Sequence, residues 1–231
     1  MKIRFVVFDL TGTLTDQHSA LERIEEDFDV PFLGKMGFVV RVEDFKKARE
    51  EADREAEKNY IKTKGVYDTV LWTKSICRRL SIPYSKELFE EWNVEFRKYM
   101  DSRLKLMEGA KGVLEYLKGK GYGVFLFTNS TRKSAEIKLE KFGIGNCFDF
   151  VFVSEEIGAK SSIQPFKTIL EKIGAKAEEC IMVGNRMDED MFAKKAGMKT
   201  VLLEDARQKY FKETEEPDYR IRKLEEIKEV L

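Results

Sequence analysis

Asp9 follows the apolar run Phe5-Val6-Val7-Phe8 and precedes Leu10-Thr11-Gly12-Thr13. The apolar run predicts a buried strand and Gly12 a turn. The carboxylate therefore falls at the carboxyl end of a strand, where open α/β sheets bind their ligands. The amides from Leu10 to Thr13 would face the same crevice and hold an anion. A carboxylate beside an anion cradle is the arrangement for phosphoryl transfer to an aspartate.

Other chemistries have little to work with. His18 is the only histidine. A Ser-His-Asp or Cys-His site would have to use it, no nucleophile motif lies nearby, and multi-histidine zinc sites are excluded. Cys77, Cys147 and Cys180 are far apart in the chain and form no metal-ligand pair. They read as reduced and partly buried, which implies the cytoplasm. Carboxylate, lysine and hydroxyl chemistry remains.

The elements that must position Asp9 come in two kinds. After Asp16 the pattern is helical: Leu21 to Phe28, Val42 to Lys64, Tyr67 to Leu80 and Ser85 to Met100. In the last of these, Phe89, Trp92 and Phe96 share one face. Tyr60, Trp72 and Tyr84 read as core. Phe32 to Val40, interrupted by Gly34 and Gly37, reads as a loop or short strand.

From Leu106 the pattern alternates. Helices are predicted over Ala110 to Lys118, from the cap Thr128-Asn129-Ser130-Thr131 to Phe142, over Ile163 to Ile173, around Asp190 to Ala196, and over Lys223 to Leu231. Strands are predicted at Gly123 to Phe127, Phe150 to Val153, Cys180 to Val183, Thr200 to Leu203 and, at an edge, Tyr219 to Ile221. Such alternation argues for an α/β fold, a doubly wound parallel sheet with helices on both faces. Residues 1–16 and 106–231 then form a core, and residues 17–105 a helical insertion.

The chain has 231 residues, enough for one large domain or a core with an inserted cap. Its 42 basic and 42 acidic residues balance, so no global field favours nucleic acid or an anionic membrane. Lys46, Lys47 and Arg49, flanked by Glu43, Asp44, Glu50 and Glu51, read as a solvated helix face. No apolar run approaches the ~18 residues of a membrane span, and the start predicts no signal peptide. Charged residues make up 36% of the chain, a composition similar to that of heat-adapted proteins.

Asp9-Leu10-Thr11-Gly12-Thr13 resembles the first motif of the haloacid dehalogenase (HAD) superfamily, Asp-x-Asp-Gly-Thr, with Thr11 in place of the second Asp. Three further stretches match that superfamily in order, each at the end of a predicted strand. Phe125-Leu126-Phe127-Thr128-Asn129-Ser130 resembles the second motif, a hydroxyl residue ending a strand. There the resemblance implies that Thr128 and Asn129, at a helix amino terminus, bind a phosphate oxygen. Glu155-Glu156-Ile157-Gly158-Ala159-Lys160 resembles the third, with Ser161 where Pro is usual. It implies that Lys160 neutralises Asp9 and the phosphoryl group together. Gly184-Asn185-Arg186-Met187-Asp188-Glu189-Asp190 resembles the acidic fourth motif, with Asn185 in place of its first Asp. The second acidic position lies among Asp188, Glu189 and Asp190, and the likeness of Asp190-Met191 to the family's Asp-Ile favours Asp190.

The resemblance implies a Rossmann-like core with a helical cap inserted after the first strand. It also implies a Mg²⁺-dependent phosphatase of small phosphorylated molecules. Asp9 would be the nucleophile, forming an aspartyl-phosphate. Asp9, the Thr11 backbone carbonyl, Asn185 and Asp190 would hold Mg²⁺. In the family the residue at position 11 protonates the leaving oxygen, and Thr11 cannot do so at neutral pH. Turnover of alkyl phosphates should then be slow, aryl and acyl phosphates should suffer less, and the phospho-enzyme should be long-lived. Two other readings compete. One is metal-free 2-haloacid dehalogenase chemistry using Asn185 and Asp188. The other is a weakened core that binds a phosphorylated ligand or a protein. Residues 17–105 carry no motif that selects a substrate.

Overall fold

The structure, a computed structural model, describes residues 2–62, 68–205 and 215–231. The chain divides into two compact units, one of Met1–His18 with Lys105–Leu231 and the other of Ser19–Leu104. Lys64, Tyr67 and the side chain of Tyr60 lie outside the described residues.

In the first unit β1 (Phe5–Phe8), β4 (Gly123–Thr128), β5 (Phe150–Val153), β6 (Cys180–Gly184), β7 (Lys199–Leu203) and β8 (Tyr219–Ile221) form one sheet. Its order is β5-β4-β1-β6-β7-β8, and every pairing is parallel. Alternate residues feed two cores. Val6, Phe8, Val124, Leu126, Ile181 and Val183 face one side with Leu114 of α6 (Ala110–Gly119) and Leu139 of α7 (Arg132–Phe142). Val7, Phe125, Phe127, Cys180 and Met182 face the other with Phe166 and Ile169 of α9 (Gln164–Ile173). Strands buried on both faces read as continuous apolar runs, as these three do. The sheet is the doubly wound α/β core that the alternation predicts.

Register aligns the strand ends. Phe8 lies opposite Leu126 on β4 and Val183 on β6, so Asp9, Thr128 and Asn185 emerge at one edge of the sheet. A two-residue ribbon of β2 (Thr15–Asp16) and β3 (Lys105–Leu106) runs antiparallel. Short α8 (Ser154–Ile157) follows β5, and α10 (Ile227–Val230) ends the chain.

Two predicted α-helices take other forms. Asp190–Ala196 is 3₁₀, and in the turn before it the Asp190 carboxylate accepts the Arg186 amide at 3.0 Å. The final segment is a 3₁₀ turn, Leu224–Glu226, running into α10.

The second unit is helical, built on α2 (Val30–Lys35), α3 (Val42–Lys62), α4 (Thr69–Arg79) and α5 (Lys86–Arg103). Phe28, Phe32, Leu33, Phe45, Ile76 and Trp92 are buried together, with Trp72, Tyr84 and Phe96 partly buried against them. On α5 it is Leu88 rather than Phe89 that is buried beside Trp92. The helix expected over Leu21 to Phe28 is broken. Helix α1 (Gln17–Leu21) ends, Arg23 takes φ +58°, and a π-helical turn over Glu25–Asp29 leads into α2. Gly34, expected to interrupt, lies inside α2, and Gly37 at φ +88° follows its end.

The basic face of α3 is not simply solvated. Lys46 pairs with Glu26 at 2.6 Å and Arg49 with Glu25 at 2.7 Å. Arg79 of α4 reaches Glu51 at 2.8 Å and Glu55 at 3.1 Å. Asp29, 3% exposed, accepts a hydrogen bond from Trp92 Nε1 at 3.0 Å. Burial pushes its carboxyl up to about 7, against the pull of Arg49 and of the Trp92 bond.

Cys77 and Cys180 are buried and Cys147 partly so, and all three are free thiols. Among the described residues no helix is long and apolar enough to cross a membrane.

Candidate active site

Asp9 leaves β1 with its amide bonded to the Val183 carbonyl at 2.9 Å. The following turn closes on itself. The Leu10 carbonyl accepts from the amides of Leu14 and Thr15 at 3.0 and 2.9 Å. The Gly12 amide donates to the Thr15 carbonyl at 2.9 Å, so that amide belongs to the turn rather than to an anion cradle. Gly12 has φ +86°, and a Cβ there would stand 2.3 Å from Asn185 Nδ2. Glycine therefore serves both the turn and the close approach of the loop after β6.

Asp9 is 6% exposed and Lys160 1% exposed. The Lys160 ammonium bonds Asp9 Oδ1 and, at 2.8 Å, Asp190 Oδ1. Burial works against its charge, but Asp190 and Asp9 outweigh that and hold its pKa above the ordinary lysine value. Asp190 is fully buried. Burial pushes its carboxyl upward while Lys160 opposes the shift. A Cβ at Gly184 would lie 2.1 Å from Asp190 Oδ2, so glycine before Asn185 makes room for that carboxylate. Of the three acidic candidates in this loop, Asp190 is the one that reaches Lys160. Asp188 instead accepts Arg186 Nε and Nη2 at 2.9 and 2.7 Å.

The other oxygen of Asp9 meets Thr13 Oγ1 at 3.2 Å, and Asn185 Oδ1 meets the same hydroxyl at 3.2 Å. One hydroxyl proton serves two acceptors.

Thr128 is 1% exposed, and its Oγ1 accepts the Ser130 amide at 3.1 Å. Asn129 is a brace: Oδ1 accepts the Lys160 amide at 3.2 Å, and Nδ2 donates to Glu189 Oε2 at 2.8 Å. Burial raises the Glu189 carboxyl, with Arg186 and Lys160 opposing.

A cleft of about 270 Å³ opens here, lined by Asp9, Thr11, Thr128 and Asn129 together with Gln17, Ser130, Arg186 and Glu189. Lys160, Asn185 and Asp190 are not among its lining residues. The structure thus brings all of the expected residues to one sheet edge. Gln17 and Arg186, and the Thr13 hydroxyl, were given no role from sequence, while Glu189 was an alternative for the second acidic position and Ser130 part of the helix cap. Thr13, inside the first motif, and Arg186, inside the fourth, carried a positional signal, and Gln17 carried none. His18 stands apart from this group, its Nε2 at 4.0 Å from Asp205.

Comparison with known proteins gives three kinds of match. A family model described as haloacid dehalogenase-like hydrolase matches residues 3–197. A glyceraldehyde 3-phosphate phosphatase of Methanocaldococcus jannaschii is 36% identical over 117 residues, 50% of this chain. The match spans about half of that relative's length, 51%. Pyrophosphatase PpaX of Halalkalibacterium halodurans is 28% identical over 63% of this chain and 70% of its own. Among solved structures, the Bacillus subtilis HAD-hydrolase YfnB, bound to magnesium, superposes with TM-score 0.74 at 19% identity. That superposition covers 100% of this chain and 99% of YfnB.

Proposed function

We propose that this chain, which belongs to the haloacid dehalogenase-like hydrolase family, is a phosphatase of small phosphorylated molecules that works through an aspartyl-phosphate on Asp9. One observation carries the reading. A buried ammonium, Lys160, is shared by Asp190 and by Asp9, which lines a small polar cleft. It sets a fixed positive charge beside the side chain of Asp9, the nucleophile of this reading.

In this mechanism an Asp9 oxygen attacks phosphorus and the bond to the leaving oxygen breaks. Lys160 offsets the charge of the nucleophile and of the phosphoryl oxygens, and the Thr128 hydroxyl donates to one of those oxygens. Water then attacks the aspartyl-phosphate, restoring the Asp9 carboxylate and passing its proton to the released phosphate. Thr11 supplies no proton to the leaving oxygen, so leaving groups that are stable as anions depart fastest.

The oxygen donors suit a hard cation. Asp9 and Asn185 present two acceptors to one hydroxyl proton, and Asp190 lies beside them on Lys160. Asp9, Asn185 and Asp190, with the Thr11 backbone carbonyl, would hold Mg²⁺. Bound there, Mg²⁺ would polarise the transferring phosphoryl group as a Lewis acid. Among the described residues no three His, Cys, Asp or Glu side chains form a metal-binding group. Binding with Asn185 at this position is therefore expected to be weaker than with an Asp there.

We further propose that Ser19–Leu104 acts as the substrate-selecting cap, and that the free thiols reflect a reducing, cytoplasmic location. The test is phosphate release from p-nitrophenyl phosphate and glyceraldehyde 3-phosphate, with Mg²⁺ and with chelator. Mg²⁺-dependent release supports the reading. Chelator-insensitive chloride release from a 2-haloacid would replace it with the dehalogenase. No release from any of these would leave a binding protein.

A further inference from the structure

We propose that Arg186 is the subsite for a second anionic group on the substrate, a phosphate or carboxylate a few atoms from the phosphoryl group that Asp9 attacks. The inference rests on the phosphatase reading of this site. Two cations of different character lie near Asp9, and one of them, Arg186, lines the cleft. Lys160 is 1% exposed, and its ammonium is divided between Asp9 and Asp190. Its charge is committed to the reacting centre. Arg186, with its side chain 31% exposed, lines the same cleft as Asp9 and Thr128.

Asp188 holds that guanidinium in place. Its buried carboxylate, 8% exposed, accepts Nε and Nη2 as a fork. A planar guanidinium carries five donors in a fixed arrangement, so two bonds to Asp188 set the orientation of the whole group against the cleft. Glu189, which lines the same cleft, makes a longer ion pair with Arg186 Nη2 at 3.7 Å.

Size and charge narrow the ligand. A cleft of about 270 Å³ falls just below the ~300–1,000 Å³ common for drug-sized ligands, which favours compact substrates whose two anions are close together. Asp9 and Glu189 are the acidic side chains lining the cleft and Arg186 the basic one, while Thr11 adds no charge, so Arg186 is the lining group that can attract a second anion. A phosphate leaving group also suits a site lacking an acid at position 11. Asp9 forms the new P–O bond, the bridging P–O bond breaks, and its electron pair leaves with phosphate. Water then regenerates the carboxylate.

The experiment compares pyrophosphate, phosphoglycolate and p-nitrophenyl phosphate as substrates for wild type, Arg186→Gln, Arg186→Lys and Asp188→Asn. A charge-assisted contact predicts that kcat/KM for a two-anion substrate, relative to p-nitrophenyl phosphate, falls about tenfold or more in Arg186→Gln. The loss should lie mainly in KM, with partial recovery in Arg186→Lys and a smaller fall in Asp188→Asn. The substrate with the larger change identifies the group as phosphate or carboxylate. A ratio unchanged in all three variants would overturn the proposal and leave Arg186 as a clamp on Asp188. Should Arg186→Gln not fold, the ratios in the other two variants decide.

If wild type hydrolyses none of the three, the phosphatase reading fails on its own account. Calorimetric titration with pyrophosphate and with inorganic phosphate then tests the subsite. Tighter pyrophosphate binding that is lost in Arg186→Lys or Asp188→Asn supports it, and equal affinities overturn it.

Discussion

Replacing Lys160 with Met tests whether the buried ammonium holds the site together. The substitution keeps a long apolar stem and removes the charge between Asp9 and Asp190, which are 6% and 0% exposed. Removing one partner of a buried ion pair strands the other charge and typically costs about 3–5 kcal/mol. Here two carboxylates are stranded side by side, so the loss should lie at the upper end of that range. In a domain of this size that corresponds to a melting temperature roughly 10 °C lower. Adding Asp190→Asn removes one stranded charge and should return about half of the loss, because the two sites are in contact and their effects do not add. Urea and thermal denaturation of the two single variants and the double measure the cycle. A Lys160→Met protein within about 1 kcal/mol of wild type, or a loss untouched by Asp190→Asn, would show that the ammonium does not organise these carboxylates.

Three other residues carry predictions of their own. Thr11→Asp supplies the missing acid, and turnover of an alkyl phosphate should rise by about 10²-fold or more, with a smaller gain on p-nitrophenyl phosphate. Steady-state rates on the two substrates check this, and equal gains would contradict it. Gly12→Ala forces a side chain into φ +86° and to within 2.3 Å of Asn185 Nδ2. It should cost about 1–3 kcal/mol and lower the rate, as read by denaturation and phosphate release. Asp29 has a folded pKa of about 7 against its ordinary 3.8, so its contribution is fully present below pH 3.8 and lost as pH rises through 7. The difference is worth up to about 4 kcal/mol. Asp29→Asn, which can still accept from Trp92, should therefore gain stability over wild type progressively as pH rises from 3.8 to about 7 and level off above that. A gap between the two proteins that does not change with pH would contradict it.

Much of this site was legible because its residues end strands whose patterns are unambiguous. Phe5-Val6-Val7-Phe8, Phe125-Leu126-Phe127 and Ile181-Met182-Val183 are apolar throughout, as strands buried on both faces must be. The residues after each run must then emerge at one edge. Other features depend on tertiary detail that leaves no local pattern. Asp29 sits in Glu25-Glu26-Asp27-Phe28-Asp29, where nothing separates a buried acid from a solvated one. Arg186 and Gln17 resemble surface residues until the fold draws a cleft around them. Arg23 at φ +58° breaks a stretch whose periodicity is helical. The 3₁₀ form of Asp190–Ala196 has no counterpart in the local pattern, which reads as an ordinary helix. Asn129, read from sequence as a phosphate ligand, spends its side chain joining Lys160 to Glu189.

The most direct test of the account is to look for the phosphoryl group on Asp9. The protein would be mixed with p-nitrophenyl phosphate and Mg²⁺, quenched in acid within a turnover and analysed by peptide mass spectrometry, alongside Asp9→Asn. The account predicts one acid-stable, base-labile phosphoryl group on the peptide containing Asp9, absent from the variant together with steady-state phosphate release. Phosphate release that persists in Asp9→Asn, or a phosphoryl group carried by any other residue, would contradict it.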